Sequence, residues 1–312
     1  MARKKVDWAA YDKSLKQRGD ITFWISDEAI KAWNAEPSRK PGGQSKFSDL
    51  AIETALTLRL VFKQGLRQTE GFIGSVFNMM KLDLDVPDHS TLSRRGKIID
   101  LPSVVGKNSN QGLVIIIDST GLKIYGAGEW NESKHGLKKR KEWRKLHLGI
   151  DESTLEIIVS SLTNNRVGDP TEAVNLLEQV QNPIDEFLGD GAYDSKKVVQ
   201  VIENRNENGC HHITVPPKKD AILSSTFLES PTQRDKHVGF IKKHGRRSWE
   251  SKVKYYRRLL VENTMGRFKG IIGTKLRSRD FDAQGIEMKL GCKILNMMVK
   301  LGTPLHPVKK IS

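Results

Sequence analysis

The spacing of apolar positions changes character across the polar stretch Ser103 to Gln111. Before it, apolar residues recur at helical intervals. Ser48 is placed to cap a helix beginning at Asp49, with Ala51, Ala55, Leu58 and Phe62 on one face and Gly65 as its breaker. A second helix is predicted from Arg67 to Met80, with Ile73, Val76, Phe77 and Met80 inward. Past Pro87, Asp88 caps a third, carrying His89, Ser90, Thr91, Ser93, Arg94 and Arg95. Residues 1 to about 47 hold scattered aromatics and end in the Pro/Gly/Ser stretch Pro37 to Ser45, the pattern of an arm and linker. After residue 111, Leu113 to Ile117 is a continuous apolar run, as expected of a central strand buried on both faces, and Asp118 ends it. Leu146, Leu148 and Ile150 alternate, Leu155 to Leu162 is again apolar, and Asp151-Glu152-Ser153 between them reads as a hairpin turn. A helix fits Thr171 to Gln181, a strand Ile184 to Leu188, a helix Ser195 to Asn206 with Asp194 as its cap, and a strand Ile213 to Val215. The stretch 216–248 has no clear period and reads as an insertion before a last amphipathic helix. The order predicts an α/β protein. A helical region at 48–102 precedes a mixed sheet flanked by helices over 111–302.

Charge adds a partner to this picture. The 312 residues contain 52 Lys and Arg against 37 Asp and Glu, a net charge of +15, with a pI near 9.7. Such a balance favours a polyanion through counterion release, nucleic acid above all. The basic residues cluster at Lys134 to Lys145 and at Lys236 to Lys269, each beside a segment with candidate chemistry. Short polar side chains with Arg94 and Arg95 near a helix start suit entry into a DNA groove in the manner of a helix-turn-helix. The two cysteines, Cys210 and Cys292, form no C-x-x-C pair, which fits a reducing compartment. No apolar run approaches the ~18 residues of a membrane span, and the N-terminus has no apolar signal core. A cytoplasmic protein associated with the nucleoid, without a membrane partner, is expected.

Tyr255, Arg258, Glu262 and Lys269 fall within an arc of about 60° if the segment is one α-helix. Val261, Met265, Phe268 and Ile272 form the adjacent apolar stripe that would hold it to a core. A lone carboxylate among cations on a packed helix suits a metal ligand at a polyphosphate surface. Asp118 and Asp190, each closing a predicted strand, are its candidate partners. Three carboxylates converging from two strand ends and a helix can hold two Mg²⁺ ions roughly 3.5–4 Å apart, the arrangement used for in-line phosphodiester displacement.

Four segments together resemble a known family. They are Asp118-Ser119-Thr120-Gly121-Leu122-Lys123, Trp143 to Leu148, Asp190-Gly191-Ala192-Tyr193-Asp194, and Tyr255-x₂-Arg258-x₃-Glu262-x₆-Lys269. The family is the DDE transposases of bacterial insertion sequences, and the branch most similar is insertion sequence family five. The resemblance extends over most of the chain, including Arg18 to Ile21 and Ser93-Arg94-Arg95. It implies an RNase H-like catalytic fold, Mg²⁺ dependence with Mn²⁺ able to substitute, and cleavage of double-stranded DNA at terminal inverted repeats. It also implies strand transfer by a 3′-OH into target DNA, and a homodimer in the synaptic complex. Carried onto this chain, Asp118, Asp190 and Glu262 are catalytic metal ligands. Arg258 and Lys269 grip phosphates, Tyr255 and Trp143 stack on or orient DNA, and Arg144, Lys145, Arg94 and Arg95 are further DNA contacts.

Other readings compete at single residues. Asp118 suits a turn residue, Glu262 an i,i+4 ion-pair partner of Arg258, and His147 a satisfied strand histidine. Cys210-His211-His212 lacks a fourth zinc ligand at useful spacing. His244-x-x-Arg247 followed by Tyr255 and Tyr256 matches elements of tyrosine recombinases, but that reading leaves the three acids without a role. A repressor using the helical region alone is the third alternative.

Overall fold

The computed structural model describes residues 7–37, 41–101, 112–124, 143–205, 212–225 and 227–302. The chain divides into two compact units. One is drawn from Met1–Pro102 and Phe268–Ser312, the other is Ser103–Arg267.

The first unit is helical: α1 (Trp8–Arg18), α2 (Ile21–Trp24), α3 (Asp27–Lys31), α4 (Asp49–Val61), α5 (Leu66–Met79), α6 (His89–Arg95) and, late in the chain, α12 (Phe281–Leu301). Ser48 caps α4 by accepting from the Ala51 amide, and Asp88 caps α6 by accepting from the amides of Ser90 and Thr91. The segment expected to be an arm instead folds into α1–α3. Its aromatics explain why: Trp24 and Trp33 are buried, and the Trp33 indole donates to the carbonyl of Asp85 at 2.8 Å. Residues 281–301 lie in the range expected to belong to the sheet domain, yet they form a helix that clusters here. Ile294, Leu295 and Met298 of α12 are buried, Lys293 pairs with Glu53 of α4, and Arg18 donates to the carbonyl of Gly302 at 2.7 Å.

The second unit is built on a sheet in the order β3-β2-β1-β4-β5, comprising β1 (Leu113–Ile124), β2 (Trp143–Asp151), β3 (Ile157–Asn164), β4 (Ile184–Leu188) and β5 (His212–Thr214). The first three pair antiparallel, while β4 runs parallel to both β1 and β5. Between them lie α7 (Asp169–Gln179) and α8 (Lys196–Arg205); after β5 come α9 (Gln233–His244), α10 (Arg246–Lys252) and the start of α11 (Leu259–Ile271). Ile115 and Ile117 of β1, Val159 of β3, Leu176 and Leu177 of α7 and Ile202 of α8 form a buried core on one face of the sheet. Successive strand residues alternate between faces, so Ile116 and Asp118 point to the other face. The run taken to end at Asp118 continues to Ile124, because β2 keeps pairing as far as Lys123 with Trp143.

Gly149 lies in β2 where the sheet leaves no room for a side chain. A Cβ there would stand 2.5 Å from a Val159 methyl and 3.3 Å from Ile115. Gly149→Ala is therefore expected to cost about 1–3 kcal/mol through overpacking, read as a lowered urea midpoint with an unchanged m-value.

The stretch without periodicity, 216–248, contains α9, started by a capping box in which Thr232 and Asp235 satisfy each other's backbone amides. Asp235 also accepts from the amide and hydroxyl of Ser224, both at 2.7 Å. This segment is ordered by polar hubs more than by an apolar stripe, which is why its pattern was weak.

Candidate functional site

Asp118 and Asp190 meet through strand register. Ile116 of β1 pairs with Leu188 of the parallel β4, so two residues further along each strand bring the two aspartates to the same level. Asp190 lies just beyond β4 and starts a 3₁₀ turn (Gly191–Tyr193) by accepting from the Ala192 amide at 2.8 Å. Gly189 before it cannot carry a side chain, since a Cβ would fall 2.8 Å from the Tyr193 ring. The rival Asp194, expected as a helix cap, instead holds Arg234 in a two-point pair at 2.7 and 3.0 Å.

Glu262 arrives from α11, but the segment is not one continuous α-helix. Lys254 adopts a left-handed conformation (φ 53°), Tyr255–Arg258 form a 3₁₀ turn, and the α-helix starts at Leu259. The helical arc drawn from the sequence thus holds only from Leu259 onward. Arg258 nevertheless reaches the acids. It donates to Asp118 Oδ2 at 2.9 Å and pairs with Glu262 one turn on. Val261 and Met265 are buried and anchor this stretch, as their stripe predicted. Lys269 falls in the last turn of α11 and belongs to the helical unit.

Electrostatics at the convergence are unbalanced. The Asp118 carboxyl is pushed up to about 6, chiefly by burial and further by Asp190 and Glu262, against the lowering effects of the Ser119 amide and Arg258. Tyr255 donates to the Gly189 carbonyl at 3.3 Å, and burial pushes its phenol up to about 12. Tyr193 is also raised, mainly by burial, and its hydroxyl has no hydrogen-bond partner among the described residues. One guanidinium therefore serves both the buried Asp118 and the more exposed Glu262. Among the described residues, no three of His, Cys, Asp or Glu are gathered closely enough to share one ion; Arg258 stands between Asp118 and Glu262.

Several further site residues of the sequence reading are committed elsewhere. Lys145 donates to Asp169 at 3.0 Å and to the Val167 carbonyl at 2.9 Å, and Ser119 binds the same Asp169 oxygen at 3.0 Å. These contacts brace the strand beside Asp118 from its opposite face. Arg95 ties the Phe47 carbonyl and Asp49 at the start of α4. Arg94 is exposed and donates to the hydroxyls of Ser90 and Thr91 of its own helix. Trp143 packs over Gly121, where a Cβ would lie 3.3 Å from its ring. Arg144 is half-buried, opposite Leu122. His147 is buried with Nε2 2.9 Å from the Thr163 hydroxyl, and burial holds its pKa down. Cys210 and His211 lie outside the described residues.

Arg257 was missed by the sequence reading. It lies beside Arg258 but points the other way, gripping both oxygens of Glu186 at 2.8 and 2.6 Å and Glu152 at 3.1 Å. Nothing in its spacing distinguished it from the basic run around it.

A family model described as a transposase DDE domain matches residues 109–297, and a second model with the same description matches residues 16–127. The chain belongs to the DDE transposases. The first match spans the sheet unit with all three acids. Among solved structures, the DDE chain is similar to the Drosophila P element transposase of a strand transfer complex, with 13% identity, 66% of this chain and 48% of that chain covered, and a TM-score of 0.35. It thus spans about half of that protein. It is also similar to the piggyBac transposase of a synaptic complex with hairpin DNA (12% identity, 89% and 73% covered, TM-score 0.41). The third is the Mos1 transposase of a pre-cleavage transpososome (12%, 88% and 85%, TM-score 0.21). Among the described residues, no helix is long and apolar enough to cross a membrane.

Proposed function

We propose that this protein is the transposase of a bacterial insertion sequence of family five, cutting double-stranded DNA at terminal inverted repeats and joining the ends to target DNA. The observation that carries this reading is Arg258 bridging Asp118 and Glu262, with Asp118 pushed up to about 6 by burial and by the nearby charges of Asp190 and Glu262. The strand order, antiparallel through β3-β2-β1 and then parallel through β4 and β5, supports an RNase H-like sheet as the frame.

The donor set suits magnesium: three carboxylates offer only the hard oxygen ligands it demands, and Mn²⁺ accepts the same set. Two such ions, when bound, supply an activated water or 3′-OH and neutralise the leaving oxygen of an in-line displacement. The chain's own residues do the rest. Asp118, Asp190 and Glu262 would hold the ions. Arg258 releases its carboxylate partners and turns to a phosphate, for which a guanidinium is well shaped. The Tyr255 phenol, raised to about 12, stays protonated at neutral pH and orients the backbone at Gly189 or a nearby base. Lys269, Trp143, Arg144 and Arg94 extend the DNA contact, with α5 and α6 acting as a helix-turn-helix. Lys145 and Arg95, bound to Asp169 and Asp49, support the contact surface more than they form it. Region 48–102 thus engages the transposon ends, and 216–248 is an insertion in the catalytic domain. A homodimer brings two ends together in the cytoplasm, at the nucleoid.

Purified protein incubated with labelled element ends is expected to nick and transfer strands with Mg²⁺ or Mn²⁺, and to bind the ends without cutting them in EDTA. A covalent phosphotyrosyl species formed in EDTA would overturn the reading in favour of a tyrosine recombinase.

A further inference from the structure

A cavity of about 340 Å³ opens within the helical unit, away from the three acids. Leu60, Leu92 and Leu290 give it an apolar wall, while Arg59, Arg277 and Lys97 line its polar side. The acids around it are already engaged. Both oxygens of Glu287 accept backbone amides, from Arg277 at 2.8 Å and from Ser278 at 2.9 Å. Asp280 caps α12 through the amides of Asp282 and Ala283 and pairs with Lys97 at 3.5 Å.

The arginines are less well served. Arg277 gives one nitrogen to the Gln64 carbonyl at 2.8 Å. Arg59 has its Nε buried without a hydrogen-bond partner among the described residues. Burial and the neighbouring Arg277 both depress its pKa, and Glu287 opposes them. Two guanidiniums thus share a partly dry space with a carboxylate whose oxygens are taken up by backbone amides. A buried cation without a full set of acceptors is costly, and its cost is removed when an anion supplies them. Guanidiniums match the oxygens of a phosphate in two-point geometry. The apolar wall asks in addition for a flat or apolar body, and the volume lies in the range of small-ligand sites.

We infer that this cavity binds a nucleotide, its phosphate on Arg59 and Arg277 and its base against Leu60, Leu92 and Leu290. The nucleotide comes either from the end of a DNA strand or from the free pool. The inference does not rest on the role of Asp118, Asp190 and Glu262, so it stands or falls separately from the catalytic reading.

Calorimetric titration of the full chain with thymidine 5′-monophosphate, thymidine, inorganic phosphate and a 5′-phosphorylated single strand tests it. Thymidine 5′-monophosphate should bind at least about tenfold more tightly than thymidine or phosphate alone, because each lacks one half of the ligand. Arg59→Met keeps the aliphatic stem and removes the charge; it should raise the Kd by about tenfold or more, as for loss of a charge-assisted hydrogen bond. Ala283→Leu, which fills the cavity from α12, should weaken binding independently and serves if Arg59→Met fails to fold. Tighter, Arg59-dependent binding of the strand assigns the site to DNA; equal or tighter binding of the monophosphate assigns it to free nucleotide. No binding of thymidine 5′-monophosphate at millimolar concentration, equal binding of inorganic phosphate, or indifference to both substitutions overturns the inference.

Discussion

Asp118→Asn is expected to lose end cleavage by about three orders of magnitude or more and yet to be more stable than wild type in metal-free buffer at neutral pH. The activity loss follows from the metal role proposed for Asp118: the substitution would remove a ligand of ions that would stabilise several kcal/mol of developing charge. The stability gain follows from linkage. The Asp118 carboxyl titrates at about 6 in the folded protein against 3.8 in the unfolded chain. Between those values the folded state binds more protons than the unfolded state, so stability falls as pH rises through the window. Above about pH 6 the whole penalty is present, at most about 3 kcal/mol for a change of this size. Asparagine does not ionise and escapes it, and Arg258 keeps its pair with Glu262. Thermal melts at pH 4 and pH 7.5 in EDTA check the sign: the two proteins should converge at pH 4 and separate by several degrees at pH 7.5. Added Mg²⁺ should stabilise wild type and not the variant, since only a bound ligand shifts the equilibrium. A variant less stable than wild type at pH 7.5 in EDTA would show that the Arg258 pair outweighs the burial of the carboxylate.

Arg257→Ala is expected to destabilise the sheet unit by about 3–5 kcal/mol, the cost of removing one partner from a buried ion pair. Arg257, Glu186 and Glu152 have side chains 16%, 15% and 27% exposed, and the Thr214 hydroxyl also donates to Glu186 at 2.6 Å. Without the guanidinium, two largely buried carboxylates lose their shared counter-charge while Thr214 satisfies only part of one. Arg257→Lys should recover little, because an ammonium cannot bond both Glu186 oxygens and Glu152 in one plane. Urea unfolding reports the loss directly. A double variant Arg257→Met with Glu186→Gln should lie closer to wild type than the sum of the two single changes. Additive effects would mean that the pair is not coupled.

How far these features could be read from the chain depends on which physical signal carried them. The Leu113–Ile117 run and the alternation at Leu146–Ile150 reveal strands because burial on a sheet imposes its own period. The caps Ser48 and Asp88 reveal helix starts because they complete open amides. Tyr255, Arg258, Glu262 and Lys269 stood out by residue type and spacing. What escaped had no periodic signal. The 3₁₀ turn at Tyr255–Arg258 depends on the left-handed Lys254, which no pattern of apolar residues encodes. The helix α9 rests on Asp235 and its hydroxyl and amide donors. The early helices α1–α3 are held by Trp24, which donates to the Arg18 carbonyl, and by Trp33, whose partner Asp85 lies far along the chain. Arg95 and Lys145 were read as DNA contacts because a sequence does not show which carboxylate a cation will meet.

The turn from Lys254 to Leu259 carries a constraint on chain length. Successive residues of a 3₁₀ turn are rotated by about a third of a circle, and that rotation sends Arg257 to Glu186 and Arg258 to Asp118. Inserting or deleting one residue there would rotate both guanidiniums away from their acids while leaving every residue type intact. Natural and engineered variants should therefore tolerate changes of side chain at Tyr256 far better than any change in the number of residues between Lys254 and Leu259.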